Sequence, residues 1–187
     1  VAIGRKALQN LNAGADAYNV AVGSSAGEWI TTGVRNTLVG GLAGDAITTA
    51  QNNVAMGYLA LSSDDVGDNS VAIGVLALAA QNPTTSTNMY NVAVGRSAGA
   101  AVTTGVQNTL VGSLAGDALT DADFNVAIGK DALGQDTLGS TSTAVGHSAL
   151  ATQNFTTATN SNNTAVGFSA GNVLTTGISN TLVGAES

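Results

Sequence analysis

The chain has 187 residues, a formal net charge of −7, and only 9% charged and 4% aromatic side chains against 44% hydrophobic ones. Its apolar residues are mostly Ala and Val beside 24 Gly, a composition that can fill a thin core but not a thick, rounded one. Five Lys and Arg form no basic stripe for nucleic acid, the lack of Cys excludes disulfides and thiolate metal sites, and no run of about 18 apolar residues offers a membrane-spanning helix.

Along the chain, one short strand signal returns again and again. "VAIG" at 1–4 leads into a short loop, "QNLNAGADAYN" at 9–19. "NVAVG" opens at Asn19, "NTLVG" at Asn36, "NVAMG" at Asn53 and "SVAIG" at Ser70, followed by a longer loop, "AAQNPTTSTNMYN" at 79–91. The series then restarts with "NVAVG" at Asn91, "NTLVG" at Asn108, "NVAIG" at Asn125 and "STAVG" at Ser142. It continues through the loop "ATQNFTTATNSNN" at 151–163 to "NTAVG" at Asn163 and "NTLVG" at Asn180. Successive motif glycines are 19, 17, 17, 17, 21, 17, 17, 17, 21 and 17 residues apart, so four units make a super-repeat of 72. Residues 19–90 and 91–162 match at about 44 of 72 positions without a gap, flanked by partial repeats at 1–18 and 163–187. Val1 and Ser187 both fall within motifs, which predicts a single repeat domain, 1–187, cut from a longer chain.

Numbering each unit from its opening Asn or Ser, position 5 is always Gly and position 8 is Ala in every unit but the last, where it is Ser187. Asn36, Gly40, Ala43 and their counterparts Asn108, Gly112, Ala115 are therefore the expected structural residues of the repeat. Positions 2 to 4 are β-branched or small with both faces apolar, which predicts a strand buried on both sides. A unit of this length is too short for strand–helix–strand and fits one coil of a β-solenoid, with two short strands and two turns. About eleven coils at ~4.8 Å each would make a rod of roughly 50 Å.

Two columns support a stack. Where position 9 is Gly, position 12 is aliphatic, as in Gly27 with Ile30 and Gly116 with Leu119; where position 9 is Leu in a full-length unit, position 12 is polar, as in Leu61 with Asp64 and Leu150 with Gln153. One aliphatic plug per coil is what a narrow close-packed core demands. The recurring Asn predicts an amide ladder along one corner. The two long loops should project from one side about 19 Å apart, with Pro83 placed where it breaks no ladder. If positions 2 and 4 fill the core, position 3 points outward as a stripe of Ala and Leu. Two more copies of the chain would cover that stripe with closed symmetry.

The sequence carries no motif for catalysis, cofactor binding or metal ligation. The lone His147 occupies the variable position 6, "SSDDVGD" at 62–68 is expected to be a solvated turn rather than a calcium loop, and "TTG" recurs too rarely for an ice-binding threonine face. The chain is therefore expected not to be an enzyme and to use no cofactor. Candidate surface contacts are Trp29, Tyr58, Tyr90, His147, Phe155 and Phe168, because exposed aromatics commonly anchor sugars and proteins.

"NTLVGGLAGDAITTAQN", "NVAVGRSAGAAVTTGVQ" and "NTAVGFSAGNVLTTGIS" resemble the 17-residue repeats of phage tail-fibre proteins across essentially the whole chain. They are more loosely similar to the shorter repeats in the heads of YadA-like trimeric autotransporter adhesins. The resemblance implies an all-β, left-handed parallel β-roll in a side-by-side homotrimer. Its implied place is the virion, as a rigid shaft or receptor-binding arm of a tail fibre that attaches to a host receptor or glycan. The alternative it implies is an adhesin head on a bacterial cell surface. On its composition this segment is expected neither to bind nucleic acid nor to insert in a membrane.

Overall fold

The computed structural model, which describes residues 1–14 and 16–187, is an all-β parallel solenoid of eleven coils. Residue 15, in the 9–19 loop, lies outside the described residues. One sheet runs the length of the rod. Its eleven strands are Ala2–Ile3, Val20–Val22, Thr37–Val39, Val54–Met56, Val71–Ile73, Val92–Val94, Thr109–Val111, Val126–Ile128, Thr143–Val145, Thr164–Val166 and Thr181–Val183. Each pairs in parallel with the equivalent strand of the next coil, like position on like position, without a slip.

The strand faces are the reverse of the expectation. Position 3 points inward: Ala21, Leu38, Ala55, Leu110 and Ala165 are completely buried. Positions 2 and 4 point outward and are half-buried to exposed, as Val20 and Val22 show on either side of Ala21. The coil is so thin that its interior takes the small residue and leaves the β-branched pair outside. The stripe of small residues is core, and the outer stripe consists of Val, Thr, Ile and Met.

The expected second strand also differs. Among the described residues it forms only as Gly67–Asp68 with Thr87–Asn88 and Gly139–Ser140 with Thr159–Asn160, where each long loop folds back on the coil before it. Elsewhere the chain returns through linked turns in which the position 8 N–H donates to the position 5 carbonyl and the position 10 or 12 N–H reaches back similarly, as in Ala26 to Gly23, Glu28 to Ser25 and Ile30 to Gly27. Positions 7 and 9 have positive φ, with Ala between them; so does the residue just before position 1. Among the described residues, all 26 non-glycine residues of positive φ fall in these three columns, for example Leu42 (57°), Leu61 (55°) and Tyr90 (51°). Their N–H groups bond to neighbouring coils: Leu42 donates to Ser24, Leu61 to Ala77 and Gln107 to Met89. Stacking thus offsets a local cost of about 1–2 kcal/mol at each such residue.

The plug exchange holds and extends to a third column. Ile30, Ile47, Val102 and Leu119 are fully buried in coils with Gly at position 9, and Leu61, Leu78, Leu133 and Leu150 are fully buried in the others. A Cβ on Gly27 would lie 2.7 Å from Leu38 Cδ1, and one on Gly116 would lie 2.8 Å from Leu110 Cδ2. The Leu of "NTLVG" therefore fills the space that position 9 leaves empty.

The position 5 glycines carry the tightest constraint. Gly40 sits at φ 138°, and a Cβ on it would stand 2.5 Å from the carbonyl oxygen of Gly57 in the next coil. Adjacent Gly41 has room, its nearest non-neighbour at 3.6 Å. Gly40→Ala is expected to lower stability to chemical denaturation by roughly 3 kcal/mol or more, whereas Gly41→Ala stays within about 0.5 kcal/mol of the parent. Equal effects of the two substitutions would contradict this account of the corner.

Candidate interaction surface and buried polar spine

The Asn corner is a ladder, but mainly from side chain to backbone. The Asn36 carboxamide oxygen accepts the N–H of Asn53 (3.0 Å) in the next coil, while its Nδ2 donates to the Ala50 carbonyl (2.9 Å) of its own coil. Asn108 does the same with Asn125 N–H (3.0 Å) and the Ala122 carbonyl (2.8 Å). Direct amide-to-amide bonds occur at Asn108 Nδ2 to Asn91 Oδ1 (3.2 Å) and Asn180 Nδ2 to Asn163 Oδ1 (3.0 Å). The accepting carbonyl belongs to position 15, which is Gly or Ala because the next coil passes close by: a Cβ on Gly33 would meet the Ala50 carbonyl at 2.5 Å.

Every fourth coil interrupts the ladder with Ser, and a second polar group bridges the gap. Gln81 Nε2 donates to Ser70 Oγ (3.0 Å) and Asp64 Oδ2 (2.5 Å), and its Oε1 accepts from Asn91 Nδ2 (3.0 Å). Gln153 repeats the arrangement with Ser142 (2.9 Å), Asp136 (2.5 Å) and Asn163 (2.8 Å). The polar residues at position 12 are thus fully buried, not surface residues left over from the plug exchange. The expectation of a solvated turn at 62–68 fails for the same reason. Asp64 is completely buried and Asp68 6% exposed, each accepting backbone N–H groups that the turn would otherwise leave unpaired, from Gly67 and Gln51.

Burial pushes the Asp64 carboxyl up to about 7, and the neighbouring Asp68 and Asp65 carboxylates add to the effect against the opposing hydrogen bonds from Gln81 and Gly67. The native state therefore keeps this proton between about pH 4 and 7 while the unfolded chain has lost it. The resulting stability is present below about pH 4, is lost as pH rises towards 7, and changes little above that. In urea unfolding, the stability difference between the parent and Asp64→Asn should move against the parent from pH 4.5 to pH 7.5. A constant difference would contradict the assignment. Asn108→Ala, which strands the Asn125 N–H and the Ala122 carbonyl, should cost about 2–4 kcal/mol at any pH in the same experiment; a loss below about 0.5 kcal/mol would contradict the ladder's role.

Outside, positions 2 and 4 form two continuous rows along the rod. Met56 is 40%, Ile128 39% and Val166 38% exposed, and the other members of the interior coils are half-buried. Two further columns flank the rows. After the strand, position 6 carries Tyr58, Val75, Arg96, Lys130, His147 and Phe168, all exposed. His147 and Phe168 stack with ring centroids 5.3 Å apart at 13°. Before the strand stand Tyr18, Tyr90 and Phe124, each exposed at positive φ.

Tyr58, Tyr90, His147 and Phe168 are thus brought to the two margins of one face, while Trp29 is exposed on a turn whose N–H donates to Asp45. Phe155 is a correction. It is 6% exposed, tucked under its loop with its N–H on Asp136 Oδ1 (3.0 Å), because the longer coil needs volume beneath it. The matching position of the first super-repeat, Pro83, is also buried. Tyr18 and Phe124 were not among the expected contacts. Their shared place one residue before the Asn corner is the signal that could have found them.

A separate recess on the turn face is lined by Asp117, Asp131, Gly134, Gln135, Ser148 and Ala151. It opens where Gly134 stands between Asp117 of the coil before and Ala151 of the coil after in the same column. Burial raises the Asp117 carboxyl above its ordinary range, with a further push from Asp131. Among the described residues no group of three or more His, Cys, Asp or Glu is placed to hold a metal ion, and no helix is long and apolar enough to cross a membrane. No protein-family model, curated protein or solved structure matches the chain.

Proposed function

We propose that the chain is a structural and adhesive segment of a trimeric fibre on a virion, of the tail-fibre kind that its repeats resemble. Three copies stand side by side, their long sheets turned towards a common axis parallel to the rod. Its work is mechanical: it sets reach and stiffness and holds turn and loop residues at fixed heights for contact with a host surface receptor or glycan. The handedness of the coil is the left-handed one that the resemblance implies.

The observation that carries this reading is the unbroken outer face of Val, Thr, Ile and Met on the long sheet. Counted with its flanking columns, the face is about 50 Å by 20 Å, on the order of 1,000 Å² per chain. That area, polar margins included, matches one partner's share of a stable interface, and the strip of Val, Thr, Ile and Met within it, about 50 Å by 10 Å, is as large as the biggest apolar patch a monomer ordinarily leaves in water. Position 3 contributes nothing to it, so the assembly rests on the β-branched rows, the reverse of the stripe expected from sequence.

Native mass spectrometry should find three chains. Val94→Glu together with Val111→Glu, in the middle of the outer rows, should yield a monomer that keeps its β-type circular dichroism. A monomeric parent protein, or a trimer indifferent to both charges, would overturn the proposal.

A further inference from the structure

The two columns that flank the outer face are complementary in most coils, Tyr18 with Ser24 in the second coil being an exception. In the sixth coil Tyr90 stands before the strand and Arg96 after it; in the eighth, Phe124 stands before and Lys130 after. These are the two cations of the position 6 column between Tyr58 and Phe168, and each shares its coil with an aromatic. Where the position 6 residue is itself the ring, its counterpart is short and polar, as with Tyr58 and Asn52, or Phe168 and Asn162. Where the first column carries the long Arg35, position 6 is Gly41.

Within one chain the two columns lie on opposite margins of the sheet face, so this matching does not arise from contact inside the coil. Lys130 rests on adjacent Asp131 in an ion pair whose side chains are 56% and 33% exposed, a weak hold that leaves it available. Arg96 donates to the Ser97 hydroxyl at 3.3 Å.

We infer that, in the assembled rod, the column before the strand of one chain packs against the column after the strand of the next chain, equal coil against equal coil. This rests on the assembly proposed above and adds its register and its contacts. A symmetry axis parallel to the rod places identical coils at identical heights and turns unlike margins towards each other, giving a heterologous contact that closes into a ring. An axis across the rod would invert coil order and lose the matching. Tyr90 then receives the partner chain's copy of Arg96, and Phe124 that of Lys130, over their ring faces.

The absence of Cys makes this directly testable. A chain carrying both Gln107→Cys and Ser113→Cys, in the seventh coil, should oxidise to a covalent trimer on a non-reducing gel. Either substitution alone should stay unlinked, and so should Gln107→Cys with Lys130→Cys, which is one coil out of register. Phe124→Ala and Lys130→Ala should each weaken trimer association by roughly tenfold or more, because three equivalent pairs are lost, and the double variant should be little worse than either. A native trimer that stays unlinked at 107 and 113, or links only in the shifted pair, overturns this pairing alone. A monomer in native mass spectrometry overturns the assembly beneath it.

Discussion

At each corner that follows a strand, the carbonyl of one glycine occupies the space where a Cβ on the glycine of the preceding coil would stand, as Gly57 does above Gly40. Coils can approach this closely only if that atom is missing at every level. The approach locks the register of the long sheet, because a slip of one residue would bring a side chain into the gap and turn the outer Val rows inward. It also forces the return path to be compact, so Ala26, Ala43 and Ala115 sit between two residues of positive φ with their side chains in the core. Such residues are strained alone and satisfied only in the stack, where their N–H groups bond to the coils above and below. Stability is therefore a property of neighbours rather than of a single coil.

The period of 72 has a chemical basis in this frame. Three coils carry the Asn ladder directly; the fourth is longer, carries Ser70 or Ser142, and hands the ladder to Gln81 or Gln153 and the buried Asp behind it. Two volumes are traded in the same way: buried Pro83 and Met89 under the first long loop stand where buried Phe155 and Ser161 stand under the second. The outer rows continue unbroken past both long coils, so the loops vary without disturbing the face proposed for assembly.

Much of this was legible in the letters. The coil length, the Gly and Ala columns, the Asn corner and the exchange between positions 9 and 12 all follow from repetition within one chain. The inversion of the strand was not legible, because "VAV" is apolar on both faces and period-2 alternation carries no sign. Only the thinness of the coil decides that Ala21 goes in and Val20 and Val22 stay out. The turns in place of a second strand were hidden because position 7 is filled by Leu, Ser, Lys, Asp and Glu, and position 9 by Leu as often as by Gly, rather than throughout by the Gly and Asn that announce such backbone. Of the expected contacts, Phe155 was misplaced because an aromatic in a polar loop looks exposed until the longer coil's need for volume is known. Tyr18 and Phe124 were missed because their column matters only once the sheet face between the margins is seen.

A rod of stacked coils, its outer sheet face closed by further copies of the same chain, is the assembly proposed above. Small-angle X-ray scattering of the purified protein measures both halves of that statement at once. It should give the mass of three chains for the parent and, for the monomeric Val94→Glu/Val111→Glu variant, the profile of a rod about 50 Å long. A compact globular profile for the monomeric variant would contradict the stack, and a parent with the mass of a single chain would contradict its closure.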